Sequence, residues 1–280
     1  TYLGLDKYFL SEGLVYKLVP VEAKVSNNPN SLGEVNKARL YENLMTTFVW
    51  GNMDKEGVLV DYYSRRLTNN YRVQFSILAD AYGATIDEKK QLIGYMKQVQ
   101  AQGLVSDAAI KTPIGSFIPN EIPQEIAKAE AEIADAQAKI SEVLDRGIEV
   151  MPHENVPFGK VFPSYISAYY MAGNEEKAQQ YSNMMVSLFE EEIDYYLSVD
   201  PKFSSTMIED MYAAYRSIFG LYQASAVFGT DKDHQQKVSD DFFRITEKVQ
   251  NGIVPIKLHS ISARTRIEQT FDSFFKRING

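Results

Sequence analysis

Cysteine is absent from the 280 residues. That excludes disulfides, thiolate metal sites and cysteine nucleophiles together. It leaves the compartment open, because a chain of this length buries enough apolar surface to need no covalent staple. Histidine is nearly absent: His153, His234 and His259 are scattered, with no pair at i, i+4, so a zinc helix of the H-E-x-x-H kind is excluded. No stretch approaches the roughly 18–20 apolar residues of a membrane-spanning helix. No G-x-S-x-G elbow, phosphate loop or G-x-G-x-x-G fingerprint occurs. Positive charge is in deficit, 29 Lys and Arg against 37 Asp and Glu, for a net charge of −8. Nucleic acid is therefore not an expected partner, since phosphate binding wants clustered cations. The one basic concentration, Arg264, Arg266, Lys276 and Arg277, is interleaved with Glu268 and Asp272 and reads as a solvated helix face. The chain starts at Thr1 without a charged-then-apolar leader, and is read as a piece of a larger protein.

What is present is ordinary globular composition, 45% hydrophobic and 24% charged, arranged with helical periodicity. A first helix is expected over Leu5–Leu18, stopped by Pro20. The loop Ser26–Gly33 follows, and then a helix over Glu34–Phe48 with Leu40, Leu44 and Phe48 on one face. Trp50-Gly51-Asn52 breaks it, and Gly57–Tyr63 reads as a short strand or an extended loop. Helices are expected at Thr68–Tyr82 and Glu88–Gln102. Thr112–Pro123, with three prolines, should be largely irregular. Gln124–Val150 has the clearest pattern: Ile126, Ile133 and Ile140 recur every seven residues, each followed three places on by Ala129, Ala136 or Val143, a coiled-coil-like seam.

Phe162–Ala172 and Glu175–Val199 form a helix pair, with Gly173 as a left-handed cap and Asn174 capping the second helix. Thr206 and Glu209 resemble a capping box opening a helix whose stripe is Met211, Tyr215, Ile218 and Tyr222. Gly229 closes it, Lys232–Gln250 is another, and after a break at Gly252–Pro255 the last covers Ala263–Ile278. The fold class is all-α, with about nine or ten helices. The spacing of Tyr169, Gly173, Glu176, Lys177, Ala178 and Tyr181 resembles the middle of a tetratricopeptide repeat. Leu144, Gly147 and Pro152 sit where a preceding repeat would end. Antiparallel hairpins stacked in a repeat-like array are thus expected. The segments would be 1–60, a helical portion packing on the repeats, 61–200, repeat-like with an insertion near 83–124, and 201–280, C-terminal helices, all in one compact body.

No catalytic centre is legible. Glu190, Glu191, Glu192 and Asp194 are an acidic cluster, but consecutive helical residues fan about 100° apart and cannot converge without partners from elsewhere. No metal and no cofactor are expected. The enrichment that stands out is aromatic, 18 Tyr and 15 Phe beside a single Trp. Adjacent tyrosines in a helix cannot both face one core, so one of each pair could lie on an interface. The candidate interaction surface is Trp50 with the pairs Tyr62, Tyr63, Tyr169, Tyr170, Tyr195 and Tyr196. Packing tyrosines with hydroxyls at the surface are the plainer account of the same residues.

Four strings together resemble a known family: Tyr2–Val21 with EGLVYKLVP, Leu40–Asp54 with YENLMTTFVWGNM, Arg72–Tyr82, and Val143–Phe158 leading into AYYMAGNEEKA at Ala168–Ala178. They are similar to the C-terminal soluble region of polytopic membrane proteins of Bacteroidetes, related to protein O-mannosyltransferases. The resemblance runs from residue 2 to about 200. It implies a multi-helix membrane portion upstream, as the part that would carry glycosyl transfer and as this piece's physical partner. It also implies a place for this piece on the extracytoplasmic (periplasmic) face, and it supplies no catalytic residue. The expected function is a non-catalytic accessory or scaffold domain that positions a protein or glycan acceptor, or that braces the membrane part. Two alternatives stand beside it. One is a free-standing periplasmic glycan-binding protein. The other is an unrecognised hydrolase needing convergent carboxylates such as Asp210 or Glu190 with Asp240.

Overall fold

In a computed structural model the described residues are 4–23 and 32–279. Helix accounts for 71% and strand for 5%, so the chain is an all-α protein. No helix among the described residues is long and apolar enough to cross a membrane. The chain divides into two compact units, Thr1–Pro157 with Met171–Gly173, and Phe158–Tyr170 with Asn174–Gly280. The segment limits expected at 60 and 200 do not coincide with this division.

After a single 3-10 turn at Asp6–Tyr8, the first unit forms strands where the rest of a helix was expected. β1 (Phe9–Ser11) pairs antiparallel with β2 (Tyr16–Leu18) and parallel with β3 (Glu34–Val35). Gly13 is the cause: its φ is +135, and a Cβ there would lie 2.8 Å from the Phe48 ring. A helix through this point is thus replaced by a hairpin turn that packs on Phe48. The loop expected at 26–33 lies mostly outside the described residues. α1 (Lys37–Glu42) starts where the Asn36 side chain accepts from the Arg39 N–H at 3.2 Å. It continues as a π turn over Asn43–Thr47, and Leu40 and Leu44 are fully buried. Left-handed Gly51 and Asn52 end this segment, as their sequence suggests.

α2 (Tyr62–Ala101) merges the two helices expected at 68–82 and 88–102. Asp61 caps it by accepting from the N–H groups of Tyr63 and Ser64. It contains no proline, and at 40 residues it is about 60 Å long. Gly83 is a packing glycine within it, since a Cβ there would lie 2.2 Å from the Met171 Cε. Gly103 at φ +68 is the actual stop. The first part of the stretch read as an insertion, 83–101, is therefore the continuation of α2. The remainder holds the hairpin β4 (Ile110–Thr112) and β5 (Gly115–Phe117), whose Phe117 is buried.

α3 (Ile122–Val150) returns antiparallel to α2. Lys139 lies over the Tyr82 ring, Lys89 pairs with Glu132, and Ile93 and Met96 pack with Phe117, Ile122 and Ala129. Ala129, Ala136, Ile140 and Val143 are buried, with Ile126 and Ile133 partly so. The small residues of the seam let the two helices approach closely.

The second unit contains α4 (Phe162–Met171, whose last residue counts with the first unit), α5 (Glu175–Ser198), α6 (Pro201–Ser204), α7 (Ile208–Phe228), α8 (Lys232–His259), α9 (Ile261–Ile267) and α10 (Ser273–Asn279). Gly173 has φ +73, and the Asn174 side chain accepts from the Lys177 N–H. Glu175 serves more than the helix dipole: its carboxylate accepts from the N–H groups of Thr230 and Asp231 at 2.6 and 3.0 Å, tying the start of α5 to the α7–α8 turn. The Thr206–Glu209 capping box does not form. Thr206 donates instead to the Phe203 carbonyl of α6, and α7 begins without a side-chain cap.

α8 runs through Pro255, where a break was expected. The carbonyl freed by that proline belongs to exposed Asn251, where water can take the missing bond. Gly252 serves close approach, because a Cβ there would lie 2.7 Å from the Leu197 Cδ1. α7, α8 and the C-terminal helices enclose an aromatic core of Tyr215, Phe242, Phe271, Phe274 and Phe275.

Candidate functional site

The residues from Phe48 to Tyr71 fold around Trp50. Gly51 and Asn52 turn the chain back on itself, and the Asn155 side chain pins the loop by donating to the carbonyls of Met53 at 2.7 Å and Lys55 at 2.8 Å. The Trp50 ring is 9% exposed. Phe48 and Tyr71 meet it edge-on at 6.1 and 6.2 Å, and Phe75 lies tilted at 5.3 Å. Beside it opens a cleft of about 420 Å³ that takes in Trp50, Tyr71 and Thr68. Its rim is aliphatic: Val49 is 93% exposed and Leu59 86%, and Leu14 and Leu67 are also exposed.

Such a cleft can bury an apolar group of about the size protein pockets commonly hold. Polar features within it are few. The Trp50 Nε1–H is buried without an acceptor. Asp61 is engaged as the α2 cap, and the Ser64 hydroxyl bonded to it holds its carboxyl below the usual range. It is a fixed anion and not a general acid. Sequence reasoning singled out Trp50 but missed the rim. The signal lay in Gly57–Tyr63, whose run of aliphatics was read for secondary structure and not for exposure.

Tyr63, Tyr169, Tyr170, Tyr195 and Tyr196 are not among the residues that line this cleft. Tyr63 is exposed at the start of α2, and the Tyr62 side chain lies outside the described residues. Tyr169 and Tyr170 are both buried, which corrects their place on an interaction surface. α4 is apolar on nearly every side, with Phe162, Tyr165, Ile166 and Ala168 buried as well, so adjacent tyrosines find cover in different directions. Tyr169 stacks on Tyr181 at 6.0 Å. Tyr195 is exposed and tilted at 5.7 Å from Tyr196, whose hydroxyl donates to Glu192 at 2.7 Å. Burial, reinforced by Glu192, pushes the Tyr196 phenol well above its ordinary range.

The carboxylates proposed for hydrolysis are committed elsewhere. Glu190 accepts from Arg244 Nη2 at 2.8 Å and from Lys248 at 2.5 Å, and Lys248 also reaches Asp194 at 2.8 Å. Asp210 pairs with Lys160, and Asp240 accepts from Gln236. The Arg244 hydrogen bonds, helped by Lys248, bring the Glu190 carboxyl down to about 2. No group of three or more His, Asp or Glu able to hold a metal is found among the described residues. His234 sits buried at the start of α8, where burial lowers its pKa.

Glu190 is thus a structural anion between α5 and α8, and its side chain is only 17% exposed. Glu190→Gln should cost about 1–2 kcal/mol, below the range for a fully buried pair because Arg244 and Lys248 are partly solvated. The native carboxyl is lowered, so its stabilisation is present above the ordinary carboxylate pKa of 4.5 and fades as pH falls toward about 2. Urea unfolding should therefore separate wild type from variant at pH 7 and bring them together as the pH falls toward 2.

Fold and site define an all-α protein with an aliphatic-rimmed cleft around its single tryptophan. Comparison with protein-family models, with curated proteins and with solved structures finds no match.

Proposed function

We propose that this chain is a non-catalytic binding or scaffold module whose first unit docks an apolar segment of a protein partner in the Trp50 cleft. The observation that carries this reading is the rim. Val49 and Leu59 stand almost fully in solvent on the rim of a concavity, where an apolar partner segment would cover them. A protein partner is favoured over a glycan because sugars stack on open aromatic faces. The Trp50 ring is enclosed by Phe48, Tyr71 and Phe75.

The wider setting follows from the family-like strings. They support an accessory domain held on the extracytoplasmic face by the membrane portion of a glycosyltransferase-like parent, with a protein acceptor or that membrane portion as the docked partner. The turn at Gly173–Asn174 supports reading α4 and α5 as one repeat-like hairpin. Reading the coding sequence upstream of Thr1 checks the setting. Several apolar spans are expected, and a short leader instead would move the free-standing binder to first place.

The cleft is tested with its own reporter, because Trp50 is the only tryptophan. Peptides selected from a random displayed library should carry an aliphatic or aromatic anchor and change Trp50 emission. Leu59→Asp should weaken them by about tenfold or more, as expected for charging an anchor site. Peptides that bind Leu59→Asp undiminished, or glycans that perturb Trp50 where peptides do not, would overturn the protein-docking reading.

A further inference from the structure

The first unit holds a second concavity, of about 530 Å³, lined by side chains of α1, α2 and α3: Lys37, Tyr82, Thr85, Lys128, Glu132 and Asp135. Ala131 and Ala136 supply the room a larger side chain would take. We propose that this groove binds a small organic carboxylate, its carbon body against Tyr82 and its charge held by Lys37 and Lys128.

The charges of the groove point to an anion. Its two acids are already matched, Glu132 by Lys89 at 2.5 Å and Asp135 by Lys139 at 3.0 Å. Lys37 is not matched in this way. It crosses from α1 to donate to the Thr85 hydroxyl at 2.7 Å and lies 5.9 Å over the Tyr82 ring. Neither Lys37 nor Lys128 has a carboxylate of the described residues within ion-pair distance. An ammonium group carries three donors, so two on Lys37 remain after Thr85 takes one. The lining itself carries two cations and two acids, and with Lys89 and Lys139 paired to those acids the positive charge of Lys37 and Lys128 is left over, in a protein whose net charge is −8.

The walls select among anions. Two lysines hold an anion as point charges, without the planar fork of arginine, so the choice among anions falls to the apolar part of the lining. Tyr82 is buried by its neighbours, and Lys139 approaches its ring at 5.7 Å. The apolar part of the lining is Tyr82 with Ala131 and Ala136, which adds affinity for a carbon skeleton and none for a bare inorganic ion. Lys37 and Lys128 come from separate helices, so a ligand held by both is oriented as well as bound.

Benzoate is the probe, followed by calorimetry and by chemical-shift changes of the groove residues. Benzamide is the uncharged isostere, and inorganic phosphate the charge without the body. Saturable benzoate binding is expected, with benzamide and phosphate each weaker by about tenfold or more. Lys37→Gln and Lys128→Gln should each weaken benzoate by a similar factor. Ala131→Trp should block it while leaving both cations in place. Leu59→Asp should leave it unchanged, which keeps this groove separable from the Trp50 cleft. Absence of saturable binding, equal binding of phosphate, or undiminished benzoate binding by both lysine variants would overturn the proposal.

Discussion

Arg72→Met is expected to destabilise the first unit by about 3–5 kcal/mol, the sum of several backbone acceptors left without their donor. Arg72 is 1% exposed. Its guanidinium donates to the carbonyls of Pro157 at 2.9 Å, Met151 at 2.6 Å and Val156 at 2.5 Å. One side chain on α2 thus satisfies three backbone acceptors of the segment that follows α3. Methionine matches its length but donates nothing, and the buried carbonyls of Met151 and Val156, left unpaired, cost about 1–3 kcal/mol each, while water can reach that of exposed Pro157. Arg72→Lys should recover only part of the loss, because a point charge cannot span three acceptors as a planar fork does. The cleft should feel the change too. Asn155, which pins the Met53 and Lys55 carbonyls beside Trp50, lies within the clamped segment. Urea unfolding followed by Trp50 fluorescence should show a midpoint lower by at least about 1 M, given m-values of about 1–3 kcal/mol per M. An unmoved midpoint would show that the three bonds are not what holds the 151–157 segment.

Where helical pattern and cap chemistry agree, the sequence is readable. The heptad spacing of Ile133, Ala136, Ile140 and Val143 marks the face that α3 turns to α2, and Gly173-Asn174 marks the turn after α4. Illegible positions are those where a distant contact decides. Gly83 and Gly252 look like stops, and each is a place where another side chain, Met171 or Leu197, comes too close for a Cβ. Gly13 has the opposite effect, turning a helical-looking stretch into a hairpin because Phe48 lies against it. Pro255 is tolerated because its orphaned carbonyl faces solvent, a fact of placement that local composition does not contain.

The sites follow the same division. Trp50 was visible as the lone tryptophan, but its enclosure depends on Tyr71 and Phe75, a turn or more into α2. The Tyr169–Tyr170 pair was misplaced because the one-face rule for helices fails for a helix covered on several sides. Lys37 and Lys128 are 91 residues apart (128 − 37) and carry no motif; only the antiparallel return of α3 sets them around one groove.

Phe242→Ala is the matching probe of the second unit, with an expected loss of about 3–5 kcal/mol. The ring is 1% exposed and sits at the hub of the aromatic core. Tyr222 stacks on it at 5.0 Å, Phe219 lies at 5.4 Å and Tyr215 at 5.9 Å. Truncation loses the transfer energy of the ring and leaves a cavity that three rigid neighbours cannot collapse to fill. The adjacent Phe243 provides the control, since it is 55% exposed. Phe243→Ala should cost less than about 1 kcal/mol, as surface substitutions usually do.

Tyr215→Phe separates packing from polarity in the same core. Thr246 gives its only hydroxyl proton to the Phe242 carbonyl at 2.7 Å, so the Tyr215 hydroxyl donates to Thr246 at 2.9 Å. Removing that hydroxyl keeps the ring and should cost about 1 kcal/mol, the net worth of one hydrogen bond. Circular dichroism during urea titration ranks the three variants. The order Phe242→Ala, Tyr215→Phe, Phe243→Ala, from largest loss to smallest, places the stability of this unit in ring packing. If Tyr215→Phe matched Phe242→Ala, the buried hydroxyl chain would be the dominant contact and the stacked rings secondary.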